Sequence, residues 1–182
     1  MKQWFKKHLL EIVTITIVIL VGTAMHFVTT YIPNETVVNI LGVIFPVNEC
    51  SWEHMKMIWY PMLVAGIVLA IMKKDKKYFG AFVVGGLFSV CLTITGFAFT
   101  QSFTIVSKLF IDIPLFIICL VAGGILSFHL AKSEAMNKYF ICFIVLAVLM
   151  TALIITLTYV HGEGFLFQDN SGLEDHHHHH EH

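Results

Sequence analysis

Five apolar runs, each near or beyond the ~20 residues an α-helix needs to cross ~30 Å of hydrocarbon, decide what this chain can fold into. They lie at about 9–32, 49–72, 78–99, 104–131 and 139–160. Composition agrees with them. Only 13% of the 182 residues are charged and 57% are apolar, with a mean hydropathy of +0.81. A soluble domain carries roughly 25% charged residues, so this chain cannot wrap a water-soluble core. The expected architecture is an all-α, polytopic integral membrane bundle of about five transmembrane helices, forming one domain over residues 1–172. Residues 173–182 end in a histidine run that looks like a purification tag, and they are set aside.

The charges that remain orient the bundle. Without the tag-like end there are nine acids against eleven lysines and no arginine, and the lysines are scattered or sit beside apolar runs. That pattern argues against a nucleic-acid surface. Lys2, Lys6 and Lys7 precede the first run, which is too long for a signal-peptide core and lacks a small-x-small cleavage site, so it reads as a retained helix. Lys73, Lys74, Lys76 and Lys77 fill the second loop and Lys132 and Lys138 the fourth, whereas the third has only Lys108 and the first has none. Lysine-rich loops face the cytoplasm. The N-terminus is therefore expected inside and the C-terminus outside. Cys50, Cys91, Cys119 and Cys142 show no metal-knuckle spacing and read as small apolar residues.

The first loop is unusual, because residues 34–47 hold Val37, Val38, Ile40, Leu41, Val43, Ile44 and Phe45 between two prolines. This stretch is too short to span. It should lie in the interface or re-enter the bundle, folding over its outer surface. Gly80, Gly85, Gly86, Gly123 and Gly124 suit close helix contacts, because lipid leaves packing as the main reason for helices to associate.

Polar chemistry concentrates in residues 46–56. Asn48 suits an N-cap, with Glu49 and Ser51 in the first turn. At about 100° per residue, Glu49, Glu53, Lys56 and Tyr60 fall on one stripe, while Cys50, His54, Met57 and Pro61 form a second beside it. Glu53 and Lys56 are spaced for an i,i+3 ion pair, and Trp52 and Trp59 are of the type that anchors at the interface. His26, Thr93, Thr95, Lys108, Asp112 and His161 belong to the same leaflet; His129 lies at the other end and is left out. A carboxylate inside a span, such as Asp112, costs roughly 2.5–3.5 kcal/mol on insertion scales and tends to mark function or a pair, here with Lys108. Pro61 and Pro114 should kink their helices and free the carbonyls of Met57 and Phe110. Structural roles are open for several of these groups: Glu49 and His54 as surface caps, His26 as an interhelical donor. Met55, Met57 and Met62 beside Cys50 and His54 offer soft copper ligands, but methionine packs helices far more often.

The block Pro46-Val47-Asn48-Glu49-x-x-Trp52-Glu53-His54 resembles the signature of an uncharacterised family of small bacterial multi-span membrane proteins. His26 and the tail Phe165-Leu166-Phe167-Gln168-Asp169-Asn170-Ser171-Gly172 extend the resemblance, with glycine where the family has proline before Phe165 and Ser171 where it has threonine. The resemblance implies a five-span fold in a bacterial cytoplasmic membrane and brings no activity. It marks Asn48, Glu49, Trp52, Glu53, His54 and Asp169 as site residues.

With Asp112 added, those residues form the expected ligand site, an outward-facing cluster that binds or transports a cation, proton or small polar ligand. A metal-assisted membrane enzyme is the alternative. It would hold a divalent metal cofactor through His26, His54, Glu49, Glu53 and His161, with Glu53 and His54 as catalytic candidates, although no HExxH, GxSxG or P-loop motif is present. An accessory subunit needs no site at all. The lipid bilayer is the first partner, and a second copy or another membrane protein is open. Phe165, Leu166 and Phe167 should fold back over the outer mouth and carry Asp169 towards the helix start at 48–51.

Overall fold

The structure is a computed structural model that describes residues 2–29, 32, 34–47, 50–103, 109–160 and 167. Among them the helices are α1 (Lys2–Val28), α2 (Glu35–Leu41), α3 (Ser51–His54), α4 (Lys56–Lys73), α5 (Lys77–Phe103), α6 (Leu109–Leu130), α7 (Ala135–Lys138) and α8 (Phe140–Tyr159). Five stretches of these are long and apolar enough to cross a membrane: His8–Val28, Ser51–Lys73, Lys77–Thr100, Ile111–Leu130 and Phe140–Tyr159. The described chain is an all-α polytopic bundle. The first span stops four residues short of the expected 32, because β-branched Thr29 and Thr30 and then Pro33, which disfavours helix in the residue before it, follow Val28.

The outer faces tell the environment. Ile141, Val145, Val148 and Leu149 of α8 and Ile71 and Met72 of α4 are more than half exposed, a surface suited to lipid and not to water. Inside, α4 packs on α1 and α5, α5 packs on α6 and α8, and α1 closes onto α6. Met55, Ile58, Trp59 and Met62 of the 55–73 stretch, with Phe82, Val83, Leu120 and Ile154, make the buried core. Trp59 and Trp52 belong to this core and are not surface anchors. Trp59 is fully buried because its indole N–H reaches Thr151 Oγ1 of α8 at 2.9 Å, which satisfies the one polar atom of the ring inside the bundle.

Glycines let backbones meet at two places. Pro61 cannot donate a backbone hydrogen bond to Met57, and Gly22 of α1 covers that carbonyl. A Cβ on Gly22 would stand 2.5 Å from the Met57 oxygen. Between α5 and α6 the contact is reciprocal. A Cβ on Gly85 would collide with Ser127 Oγ and lie 2.5 Å from the Gly123 carbonyl, and one on Gly123 would collide with Ser89 Oγ and lie 2.6 Å from the Gly85 carbonyl. The sequences are correspondingly alike, Gly85-Gly86-Leu87-Phe88-Ser89 against Gly123-Gly124-Ile125-Leu126-Ser127. Ser89 donates to the Cys119 carbonyl at 2.9 Å and Ser127 to the Gly123 carbonyl at 2.8 Å, so each hydroxyl is satisfied where the helices touch.

The loops define two ends. At the lysine-rich end α4 closes on Lys74, in the left-handed region at φ 52, whose backbone N–H and that of Asp75 return to the last turn of α4. Asp75 Oδ1 then accepts from the Lys77 backbone N–H at 3.1 Å and starts α5. Lys77 Nζ reaches across to Glu134 at 2.6 Å, tying the second loop to the fourth and holding the Glu134 carboxyl below its ordinary value. At the other end, residues 34–47 fold over the bundle.

Candidate functional site

The first-loop end gathers the polar residues that the sequence distributes over distant positions. The segment 34–47 starts with Asn34, whose side chain caps α2 by accepting from the Val37 N–H at 3.2 Å. It exposes Val37, Ile40 and Ile44 on one side and turns its carbonyls towards the bundle on the other. Four hydroxyls and amines take those carbonyls. Thr29 Oγ1 donates to Pro46, Tyr60 OH to Val43 at 2.7 Å, Tyr159 OH to Asn39 at 2.7 Å and Lys56 Nζ to Gly42 at 2.5 Å. The last-turn carbonyls of a short helix and the turns after it need such partners, since lipid supplies none.

Lys56 is the centre of this latch. Its side chain has 0% exposure and its ammonium also reaches Glu53 Oε2 at 2.6 Å and the Phe45 carbonyl at 3.4 Å, which uses all three of its donors. Glu53, 2% exposed, accepts from the Val47 N–H at 2.9 Å through the same oxygen. Local geometry favours the pair. The Met55 N–H bonds back three residues to the Trp52 carbonyl, a tightened turn between α3 and α4, and such a turn eclipses residues i and i+3. The structure thus forms the Glu53–Lys56 pair that the i,i+3 spacing suggests.

His54 points the other way. Its Nδ1 lies 2.9 Å from the Cys50 carbonyl, and since a carbonyl only accepts, Nδ1 carries the hydrogen and Nε2 is the nitrogen with the lone pair. The ring stands 5.3 Å from that of His26 in the last turn of α1 and meets Phe97 of α5 edge-on at 6.4 Å. Both histidines are half-buried. Asp112 is in the first turn of α6, also half-buried, one turn before buried Phe116. Trp52 packs its ring 5.9 Å from Phe167, so this part of the tail does return to the bundle.

The helix itself starts later than the sequence suggests. Cys50 occupies the N-cap position of α3 and the first helical residue is Ser51. Asn48, Glu49, Lys108, His161, Phe165, Leu166 and Asp169 lie outside the described residues. Met55, Met57 and Met62 are buried in the core at 0%, 5% and 1% exposure. Among the described residues no three of His, Cys, Asp and Glu come together to hold a metal ion.

Two features escape sequence reasoning. The backbone acceptors of Lys56 leave no side-chain signature, although Tyr60 on the Glu53 stripe pointed to that face. Phe97 next to His54 looks like any apolar residue of a span.

No curated protein and no solved structure matches the chain. The family of unknown function DUF6512 matches residues 1–172, and the chain belongs to that family.

Proposed function

We propose that the protein is a membrane-embedded binding or transport protein that takes a cation, a proton or a small polar ligand at the His26–His54 pair. The observation that carries this reading is the 5.3 Å ring separation of two half-buried imidazoles contributed by separate helices. Such rings can share a proton or jointly accept a cation, and His54 is preset for it because its Nδ1 is spent on Cys50. Asp112 and Trp52, with Asn48, Glu49 and Asp169 added on the family resemblance alone, complete the ligand set of this reading. By the partition of loop lysines, the pair faces outward from a bacterial cytoplasmic membrane with the N-terminus inside.

Binding is favoured over catalysis by the state of Glu53. Its Oε2 already accepts from Lys56 and Val47, which leaves it poorly placed as a general base. The metal-enzyme reading keeps one supporting observation. Two imidazoles at Zn–N distances of about 2.0–2.1 Å on a tetrahedral ion have ring centres about 5 Å apart, near the spacing found. Its remaining ligands would then be Glu49 and His161.

The test uses protein with residues 173–182 removed, because the histidine run binds divalent metals itself. Calorimetric titration with Zn²⁺ and with acid should show one site per chain that is lost in His26→Ala and in His54→Ala. Uptake that is unchanged in the double variant defeats the proposal.

A further inference from the structure

The opposite end of the bundle shares no residue with the histidine pair. A cavity of about 510 Å³ opens where α4 ends, lined by Ala70, Ile71, Lys74, Asp75, Lys76 and Asn137. We infer that this cavity binds the headgroup of an anionic phospholipid, with the phosphate between Lys74 and Lys76 and an acyl chain along the exposed ridge of α4.

Charge comes first. The second and fourth loops hold six lysines (73, 74, 76, 77, 132 and 138) against Asp75 and Glu134, a net charge of +4. The two acids are already engaged: Lys77 Nζ lies 2.6 Å from Glu134 and 3.7 Å from Asp75, whose other oxygen accepts the Lys77 N–H. Among the described residues neither Lys74 nor Lys76 is in an ion pair, and both are exposed at the cavity. Lys76 is held in place by the face of Phe140, 5.1 Å from its ammonium. Lys74 is fixed by its left-handed backbone at the end of α4.

The floor supplies the rest of the chemistry. Among the described residues Asn137 Oδ1 has no hydrogen-bond donor, and a small turn of this half-buried side chain would present it to a headgroup hydroxyl. Ile71 lines the cavity and continues into Ile67 and Val64 one and two turns down the same face of α4. These three are 71%, 42% and 57% exposed. A free anion has no use for that ridge, whereas a phospholipid anchored at the headgroup lays a chain along it. Basic pockets at the end of transmembrane helices are suited to this recognition.

Native mass spectrometry of the purified full-length chain in detergent tests the inference, with phosphatidylglycerol, phosphatidylcholine and inorganic phosphate as probes. One phosphatidylglycerol should be retained per chain, and neither of the other probes should displace it. Lys74→Gln and Lys76→Gln should each weaken retention about fivefold, the equivalent of about 1 kcal/mol per basic residue near an anionic surface, and Asn137→Leu should weaken it as well. Lys132→Gln removes the same single charge outside the cavity and should leave retention within about twofold, a control for diffuse attraction. Equal loss in that control overturns the inference in favour of diffuse charge. Equal retention of phosphatidylcholine removes headgroup recognition, and displacement by inorganic phosphate makes the cavity a free-anion site. Lys74 and Lys76 are exposed, so unchanged melting of their lipid-free variants separates lost binding from lost folding.

Discussion

Lys56 is a single side chain whose removal should be felt far from its own position. It joins Glu53 to the carbonyls of Gly42 and Phe45 with no exposure to solvent. Losing one member of a buried ion pair strands the other, at a cost of about 3–5 kcal/mol. Lys56→Met is therefore expected to lower the melting temperature in detergent sharply, and Glu53→Gln less, because the amide still accepts from Val47 and keeps a bond to the ammonium. Adding Glu53→Gln to Lys56→Met should recover part of the loss, since no bare carboxylate then remains. A double variant no better than Lys56→Met alone would mean that the pair is not coupled. Much of this pair is legible beforehand, because i,i+3 spacing and the expense of charge in hydrocarbon together demand a partner for Glu53. The partners on the loop are not, since a carbonyl of Gly42 is no different in sequence from any other.

Among the described helices, α5 and α6 share the most extensive contact, and it depends on two glycines whose neighbours cannot yield equally. Gly85 and Gly123 each face a backbone carbonyl and a hydrogen-bonded serine, whereas a Cβ on Gly80 would press on the ring of Phe143, a side chain able to turn. Gly85→Ala and Gly123→Ala should each destabilise by about 1–3 kcal/mol through overpacking, and Gly80→Ala by clearly less, read as thermal stability in detergent. Equal losses at all three would show that the reciprocal contact is not special. Glycine enrichment is visible in the sequence, but which glycines matter is not, because the pairing of Gly85 with Ser127 and of Gly123 with Ser89 needs the antiparallel register of the two helices. The existence of the spans was readable from length and hydropathy alone. The C-terminal end of α1 and the start of α3 were not, because the turn at Thr29 and the extended backbone of Cys50 override the apolar pattern.

For the molecule as a whole, the two ends differ in kind. One carries the lysine loops and the cavity under Lys74; the other carries the latched segment and the histidine pair. With the N-terminus inside, single cysteines at Asn39 and at Asp75, placed in a background without the native four, should label oppositely in intact cells. Asn39 should react with an impermeant maleimide and Asp75 should not. The reverse pattern would turn the bundle over and move the histidine pair to the cytoplasmic face. The arrangement of the latched end also bears on how the chain is made. The acceptors of Lys56 precede it by 14 and 11 residues, and its carboxylate partner by three. In synthesis from the N-terminus, everything needed to neutralise that lysine has left the ribosome before the lysine does. The helix that carries it into the bilayer can hand over its charge on entry, without waiting for α5, α6 or α8.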